Sequence, residues 1–167
     1  MEPLLTEAFR YNKWANLKLL DVCAKLPEEQ LQLTAPGTYG TIANTLLHLF
    51  SAEQRYLRRL EGVKPEINEG DPAPPLAILR EHAVRSGDRL IEAAGRIAPD
   101  ETIEEEGDGN VMRIDLGVVL VQAMHHGNDH RTHICTILGH HGIEYGDIDV
   151  WAYGVSTGGI VPIRAKA

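Results

Sequence analysis

The sequence has few cysteines and few aromatic residues, and it lacks long apolar runs. Its two cysteines, Cys23 and Cys135, are too few for the disulfide framework of a small secreted domain. No segment is long and apolar enough to predict a membrane span, and the first ten residues, MEPLLTEAFR, contain acidic groups where a secretory leader would be basic. Aromatic residues make up only 5% of the chain. We therefore expect a soluble cytoplasmic protein, and a helical one.

Basic residues are also in the minority. The 167 residues include 16 Lys and Arg against 24 Asp and Glu, which gives a net charge of -8 with His neutral. A chain of this charge, without a basic stripe interleaved with aromatics, repels phosphate backbones, so we expect neither a nucleic-acid nor a membrane partner. The length and the ordinary globular composition predict a single domain over residues 1–167.

Apolar residues recur with helical spacing in four segments. Residues 3–26, 42–61, 76–98 and 116–141 each present one apolar face, and Thr41 and Gly62 are suited to begin and end the second helix. Residues 63–75, rich in Pro and polar side chains, predict a long crossover between helices two and three. A small hairpin is expected over residues 101–115, and the Gly-rich residues that follow Tyr153 in the tail are expected to be extended or poorly ordered. These elements predict an all-α fold, a four-helix bundle.

The fourth helix carries a pair of histidines on its inward side. His126 and His130 are four residues apart, so on a helix their Cβ atoms lie about 6 Å from each other, close enough to share one metal ion. A zinc-protease helix would have Glu directly after the first His, whereas Gly127 stands there. A structural zinc site would need Cys, and Cys135 lies about 180° around the helix from His126. The pair alone is equally compatible with ordinary core histidines.

A third imidazole is available from the second helix. His48 lies at the shoulder of that helix's apolar face, and a bundle with one long crossover can pack helix two against helix four. Three imidazoles with an open position are typical of a catalytic metal site. Two alternatives remain at this point: the metal only stabilises the bundle, with His133 as a closing ligand, or no metal binds and the three imidazoles are separated.

Four segments together resemble the DinB family of damage-inducible bacterial proteins. They are FRYNKWAN (residues 9–16), TIANTLLHLFSAEQRYL (residues 41–57), HGNDHR (residues 126–131) and DVWAYG (residues 149–154), in this order along nearly the whole chain. The resemblance implies a four-helix bundle, often a homodimer, that holds a divalent metal on three His, here His48, His126 and His130. Zinc or nickel is the expected ion, although three imidazoles also suit iron and copper.

The resemblance also implies a range of activities. Relatives include thiol-dependent transferases and isomerases that use low-molecular-weight thiols such as mycothiol or bacillithiol, and metal-dependent hydrolases. We therefore expect a metal-dependent enzyme, a thiol-dependent transferase or a hydrolase with a small-molecule substrate. The alternative is a non-catalytic, stress-associated, metal-binding homodimer.

Several neighbours of the three His depart from the family's pattern or have no assigned role. The family commonly has Asn before the first His of the pair and His-Arg-Gly-Gln at the second, whereas here His125 and Asp129 precede the two His and Thr132-His133 follow Arg131. By helical geometry Arg131 lies about 140° from His126, which predicts a surface or dimer-contact residue. Neither Glu53 nor Asp129 is well placed as a general base, and Asn12 needs hydrogen-bond partners on an apolar face.

Overall fold

Five α-helices and one hairpin are present in the computed structural model, which describes residues 4–107 and 109–163. In chain order the elements are α1 (Leu4–Cys23), a 3-10 turn (Glu28–Gln32), α2 (Ile42–Glu61), α3 (Leu76–Arg96), β1 (Thr102–Gly107), β2 (Asn110–Asp115), α4 (Leu116–His140) and α5 (Val150–Ser156). The predicted all-α bundle with its crossover and hairpin is confirmed, and no helix end is shifted by more than three residues.

Capping residues explain where α2 begins and ends. The Thr41 hydroxyl accepts a hydrogen bond from the Asn44 backbone N–H at 3.1 Å, which satisfies one of the free donors of the first turn. Gly62 ends the helix with a φ of 72°, a left-handed conformation that glycine adopts without steric cost. Because both ends of α2 are fixed, the position of His48 along the bundle is fixed as well.

The four long helices are arranged so that α2 and α4 are neighbours. The most extensive helix pairings are α1 with α3 and α2 with α4, and α2 also packs on α3 and α1 on α4. The order around the bundle is therefore α1, α3, α2, α4, with α1 and α2 diagonally opposed. This arrangement confirms the predicted packing of helix two against helix four. It also means that α4 is covered by two helices, α1 on one side and α2 on the other.

The tail contains a short helix that the sequence analysis did not predict. Asp149 caps α5, since its carboxylate accepts a hydrogen bond from the Ala152 backbone N–H at 2.8 Å. Tyr153 is buried against the edge of Tyr11, and its hydroxyl donates to Glu7 at 2.7 Å. These contacts attach α5 to α1. The helix continues to Ser156, so the first residues after Tyr153 are helical and not extended as expected.

Two apolar clusters fill the core, one toward each end of the bundle. Phe50, Leu46 and Ile134 belong to one, and Phe9 and Leu120 belong to the other, all of them 2% exposed or less. Between the clusters lies a layer of buried polar side chains, which we call the polar layer: Asn12, Asn16, Glu53, Ser86 and Arg131. The three candidate ligands lie at the same level along α2 and α4.

Candidate metal centre

The structure brings His48, His126 and His130 together between α2 and α4. Each offers one imidazole nitrogen, and these three nitrogens all lie within 4.8 Å of one another. His48 Nε2 is 2.9 Å from His126 Nε2, and the three ring centroids are 4.3 to 4.9 Å apart. The alternative in which the imidazoles are separated is therefore excluded. In the described part of the chain, residues 4–107 and 109–163, no other group of three His, Cys, Asp or Glu meets this criterion.

Burial keeps two of these imidazoles in the form that binds metals. Desolvation, reinforced by the neighbouring imidazoles, lowers the pKa of His126 and that of His130 to about 4. Both rings are therefore neutral at pH 7, which is the state a metal ligand requires. The Nδ1 atoms of all three candidate ligands, His48, His126 and His130, are buried without a hydrogen-bond partner, although a carboxylate oxygen of Glu69 lies 2.8 Å from that of His48. A set of three imidazole donors with incomplete hydrogen bonding fits a divalent transition-metal ion.

Two residues from loops border the cluster, and the sequence analysis did not predict either. The ring of Tyr39, in the loop before α2, stacks on His48 with 4.2 Å between centroids and meets His130 edge-on at 5.1 Å. Glu69, in the crossover between α2 and α3, places Oε1 at 2.8 Å from His48 Nδ1. Helical periodicity gives no information on loop residues, so no sequence signal marked Tyr39 or Glu69 as neighbours of His48.

Tyr39 and Glu69 also contact each other. The Tyr39 hydroxyl donates a hydrogen bond to the Glu69 carboxylate. This hydrogen bond lowers the pKa of Glu69, while burial and the same contact raise the pKa of Tyr39 to about 12. Glu69 is therefore a carboxylate and Tyr39 a neutral phenol at pH 7. Their hydrogen bond joins the loop before α2 to the crossover between α2 and α3, and both residues contact His48.

The other histidines of α4 stay outside the cluster. His133 meets His130 edge-on with 5.3 Å between ring centroids, but it is not among the three gathered residues. His125 is exposed and pairs with Asp129 through a 3.1 Å contact on the outer face of the helix. Of the described residues, none supplies a fourth His, Cys, Asp or Glu donor to the group. This arrangement matches an open site better than a site closed by His133.

Arg131 corrects a prediction. It is not a surface residue but is 3% exposed, and its Nη1 donates hydrogen bonds to Asn12 Oδ1 at 2.6 Å and to Asn16 Oδ1 at 2.8 Å. The physical reason is that α4 is covered on two sides, by α2 at its His126 edge and by α1 at its Arg131 edge. A rotation of about 140° around α4 from His126, which faces α2, therefore reaches Arg131, which α1 buries.

Glu53 completes the polar layer. It is 1% exposed and accepts hydrogen bonds from Asn12 and Asn16 at 3.2 and 2.8 Å, and from the Ser86 hydroxyl at 2.5 Å. Burial raises the pKa of Glu53, and the hydrogen bond from Ser86 opposes that shift. Asn12 thus finds its partners, and Glu53 links α2 to α1 and α3. Asn12 and Asn16, four residues apart on an inward face, were a usable sequence signal for this layer.

Fold and site together define a class of protein: a four-helix bundle with three histidines gathered between two of its helices. The sequence profile of the DinB family matches residues 1–162. The chain therefore belongs to the DinB family, and the predicted resemblance is confirmed.

A solved relative has the same fold. The crystal structure of a DinB-like protein from Bacillus cereus is 21% identical, with a TM-score of 0.64 over 86% of this chain and 94% of that chain. At this identity the likeness establishes the fold alone. No curated protein matches the sequence significantly. No described helix has the length and hydrophobicity of a membrane span.

Proposed function

We propose that this protein binds one divalent metal ion through His48, His126 and His130 and uses it in catalysis on a small molecule. The observation that supports the proposal is the convergence of three imidazole nitrogens from two helices. Two of the rings are neutral at pH 7, so protons compete for their nitrogens only in acid. Zinc or nickel would suit this donor set.

The reaction class follows from an open, three-ligand site. A divalent ion held there would lower the pKa of a thiol or a water molecule and so make a nucleophile available at neutral pH. Around it the chain provides Tyr39 and Tyr56 as aromatic walls, with Tyr56 edge-on to His126 at 5.7 Å. Arg55, whose Nη2 is 3.5 Å from Glu69 Oε2, adds a cation at the rim. We propose a thiol-dependent transferase or a hydrolase, with a low-molecular-weight thiol as co-substrate in the first case.

Metal content tests the proposal. Protein purified without a His tag is expected to contain about one divalent ion per chain by elemental mass spectrometry, and His126→Ala is expected to lose it, because two imidazoles bind a metal much more weakly than three. His125→Ala is the matched control, since His125 is exposed on the outer face of the same helix. Absence of metal from the wild type even after reconstitution would contradict the proposal.

The same preparations distinguish catalysis from simple metal binding. They are assayed with low-molecular-weight thiols plus an electrophile and, separately, with simple esters. Turnover that requires both the ion and His126 would support the enzyme. A metal-loaded protein that is inactive in both panels would favour the alternative, a non-catalytic metal-binding protein of the stress response.

We also propose that the protein is a homodimer. An apolar groove of about 630 Å³ runs between the start of α1, α4 and α5, and it is lined in part by Leu4, Val121 and Val150, which are 58% to 90% exposed. Trp151, the residue of α5 that directly follows Val150, is 75% exposed. Exposed apolar surface of this kind is typical of a protein interface.

Light scattering tests the dimer. The wild type is expected to have twice the mass of one chain, and Val121→Lys is expected to be a monomer because it places a charge in the groove. Met112→Lys is the control, since Met112 is also exposed, at 51%, but lies on the hairpin and does not line the groove. A monomeric wild type at tens of micromolar would rule out a stable dimer.

A further inference from the structure

Glu69 contacts a candidate metal ligand from outside the helical bundle. It lies in the crossover between α2 and α3, and its Oε1 is 2.8 Å from Nδ1 of His48. The other nitrogen of the same ring, Nε2, lies 2.9 Å from Nε2 of His126 and so faces the cluster. The two nitrogens of His48 therefore have separate environments, a carboxylate on one side and the gathered imidazoles on the other.

Two further residues hold the Glu69 carboxylate in place. The Tyr39 hydroxyl donates to it, and Arg55 lies 3.5 Å from its second oxygen. Tyr39 at the same time stacks on the ring of His48. The His48 imidazole thus has Tyr39 stacked on its face and the Glu69 carboxylate within 2.8 Å of its outer nitrogen. Glu69 makes all these contacts although its side chain is 42% exposed.

We propose that Glu69 is a positioning residue of the metal centre: its Oε1 lies 2.8 Å from Nδ1 of His48, and when His48 binds the ion Glu69 accepts the Nδ1–H and thereby presents Nε2 of that ring to the ion. The inference rests on the proposed metal binding and adds how one ligand is oriented. A carboxylate on the far nitrogen fixes the tautomer and the orientation of a ligating His and makes its metal-binding nitrogen more basic. Tyr39 in turn orients Glu69 through the hydrogen bond that its hydroxyl donates to the carboxylate.

The geometry distinguishes this role from direct ligation. A fourth ligand would have a carboxylate oxygen close to the donor nitrogens of all three His, and Glu69 does not belong to the group of residues that meets this condition. Its oxygen lies instead on the nitrogen of His48 that faces away from the cluster. Glu69 is therefore expected to affect the metal through His48 alone.

The test is the affinity of the metal-free, untagged protein for Ni(II), measured by competition with a chromogenic chelator. Glu69→Ala is expected to bind Ni(II) about 10-fold to 100-fold more weakly, the usual cost of removing such a partner. Glu69→Gln keeps an acceptor oxygen without the charge and is expected to lie between Ala and the wild type. Glu66→Ala is the matched control, because Glu66 belongs to the same crossover but pairs with Arg85 at 2.8 Å.

A double-mutant cycle tests whether the effect passes through His48. In a His48→Ala background, Glu69→Ala is expected to change the remaining Ni(II) affinity by less than about 2-fold, since the residue it positions is gone. The visible spectrum of the Co(II) form of Glu69→Ala is expected to keep the wild-type coordination number. Thermal unfolding of the metal-free variants shows whether the fold is intact.

Three results would overturn the inference. One is a Ni(II) affinity of Glu69→Ala equal to that of the wild type, and another is a loss of affinity that persists without His48. The third is a Co(II) spectrum with a changed coordination number, which would make Glu69 a ligand. A wild type that takes up no Ni(II) would instead refute the metal site itself, and with it this role of Glu69.

Discussion

Replacing Arg131 with Met is expected to lower the free energy of unfolding of the metal-free protein by about 3–5 kcal/mol, the cost of removing one partner from a buried charged network. Met fills a similar volume but cannot donate to Asn12 and Asn16, whose amides in turn donate to the buried Glu53. The variant leaves the buried oxygens of Asn12 and Asn16 without their donor, next to the buried side chain of Glu53. Urea denaturation at pH 7 measures the loss.

An exposed ion pair provides the control for Arg131. Arg80 pairs with Asp21 at 3.2 Å at the surface, with both side chains about half exposed, so Arg80→Met is expected to cost less than about 1 kcal/mol. Adding Glu53→Gln to Arg131→Met is expected to recover part of the loss, because Gln still accepts the hydrogen bonds of Asn12 and Asn16 and removes an ionisable group from the core. Equal stabilities for Arg131→Met and Arg80→Met would show that the polar layer is not needed for stability.

Gly127→Ala is expected to destabilise the metal-free protein by about 1–3 kcal/mol, the usual cost of overpacking a core. A Cβ at this position would lie 2.5 Å from Asn12 Oδ1 and 3.0 Å from Arg131 Nη1. Both atoms belong to the same hydrogen bond, so the added methyl group would push the polar layer apart. The change acts against the ordinary preference of a helix for Ala over Gly.

A second glycine of α4, Gly117, is expected to show the opposite effect. At Gly117 an added Cβ would meet no atom within 4 Å, so Gly117→Ala is expected to be neutral or to stabilise the protein by up to about 1 kcal/mol. Thermal and urea unfolding of the two variants, compared under identical conditions, isolate the steric effect from helix propensity. If Gly127→Ala were as stable as Gly117→Ala, the close packing of Arg131 against Asn12 would not be important for the fold.

The polar layer contributes both to the stability of the fold and to the placement of the candidate metal ligands. Arg131 directly follows His130 on α4, and Glu53 lies on the same helix as His48, so the layer fixes the rotation of both helices that carry the candidate ligands. Its hydrogen bonds join α1, α2, α3 and α4 at one level. Paired buried polar groups favour one arrangement of a core over others, and in this layer Nη2 of Arg131 is the buried side-chain atom left without a partner. We expect variants of this layer to weaken metal binding as well as folding.

The sequence by itself predicted the helical bundle and the grouping of three histidines within it. Periodicity located all four long helices to within a few residues, because an amphipathic helix must bury one face and the spacing of that face is local information. The spacing of His126 and His130 predicted their proximity for the same reason. His48 followed once a long crossover allowed helix two to pack on helix four.

Only the tertiary structure decided what surrounds those histidines. Arg131 is buried because α4 has helices on two sides, a property of the assembled bundle that the spacing within α4 does not contain. Tyr39 and Glu69 reach His48 from loops, where no repeating pattern relates sequence position to direction in space. The chain encodes its helices through short-range periodicity, whereas the contacts that orient the candidate ligands come from residues brought together by folding.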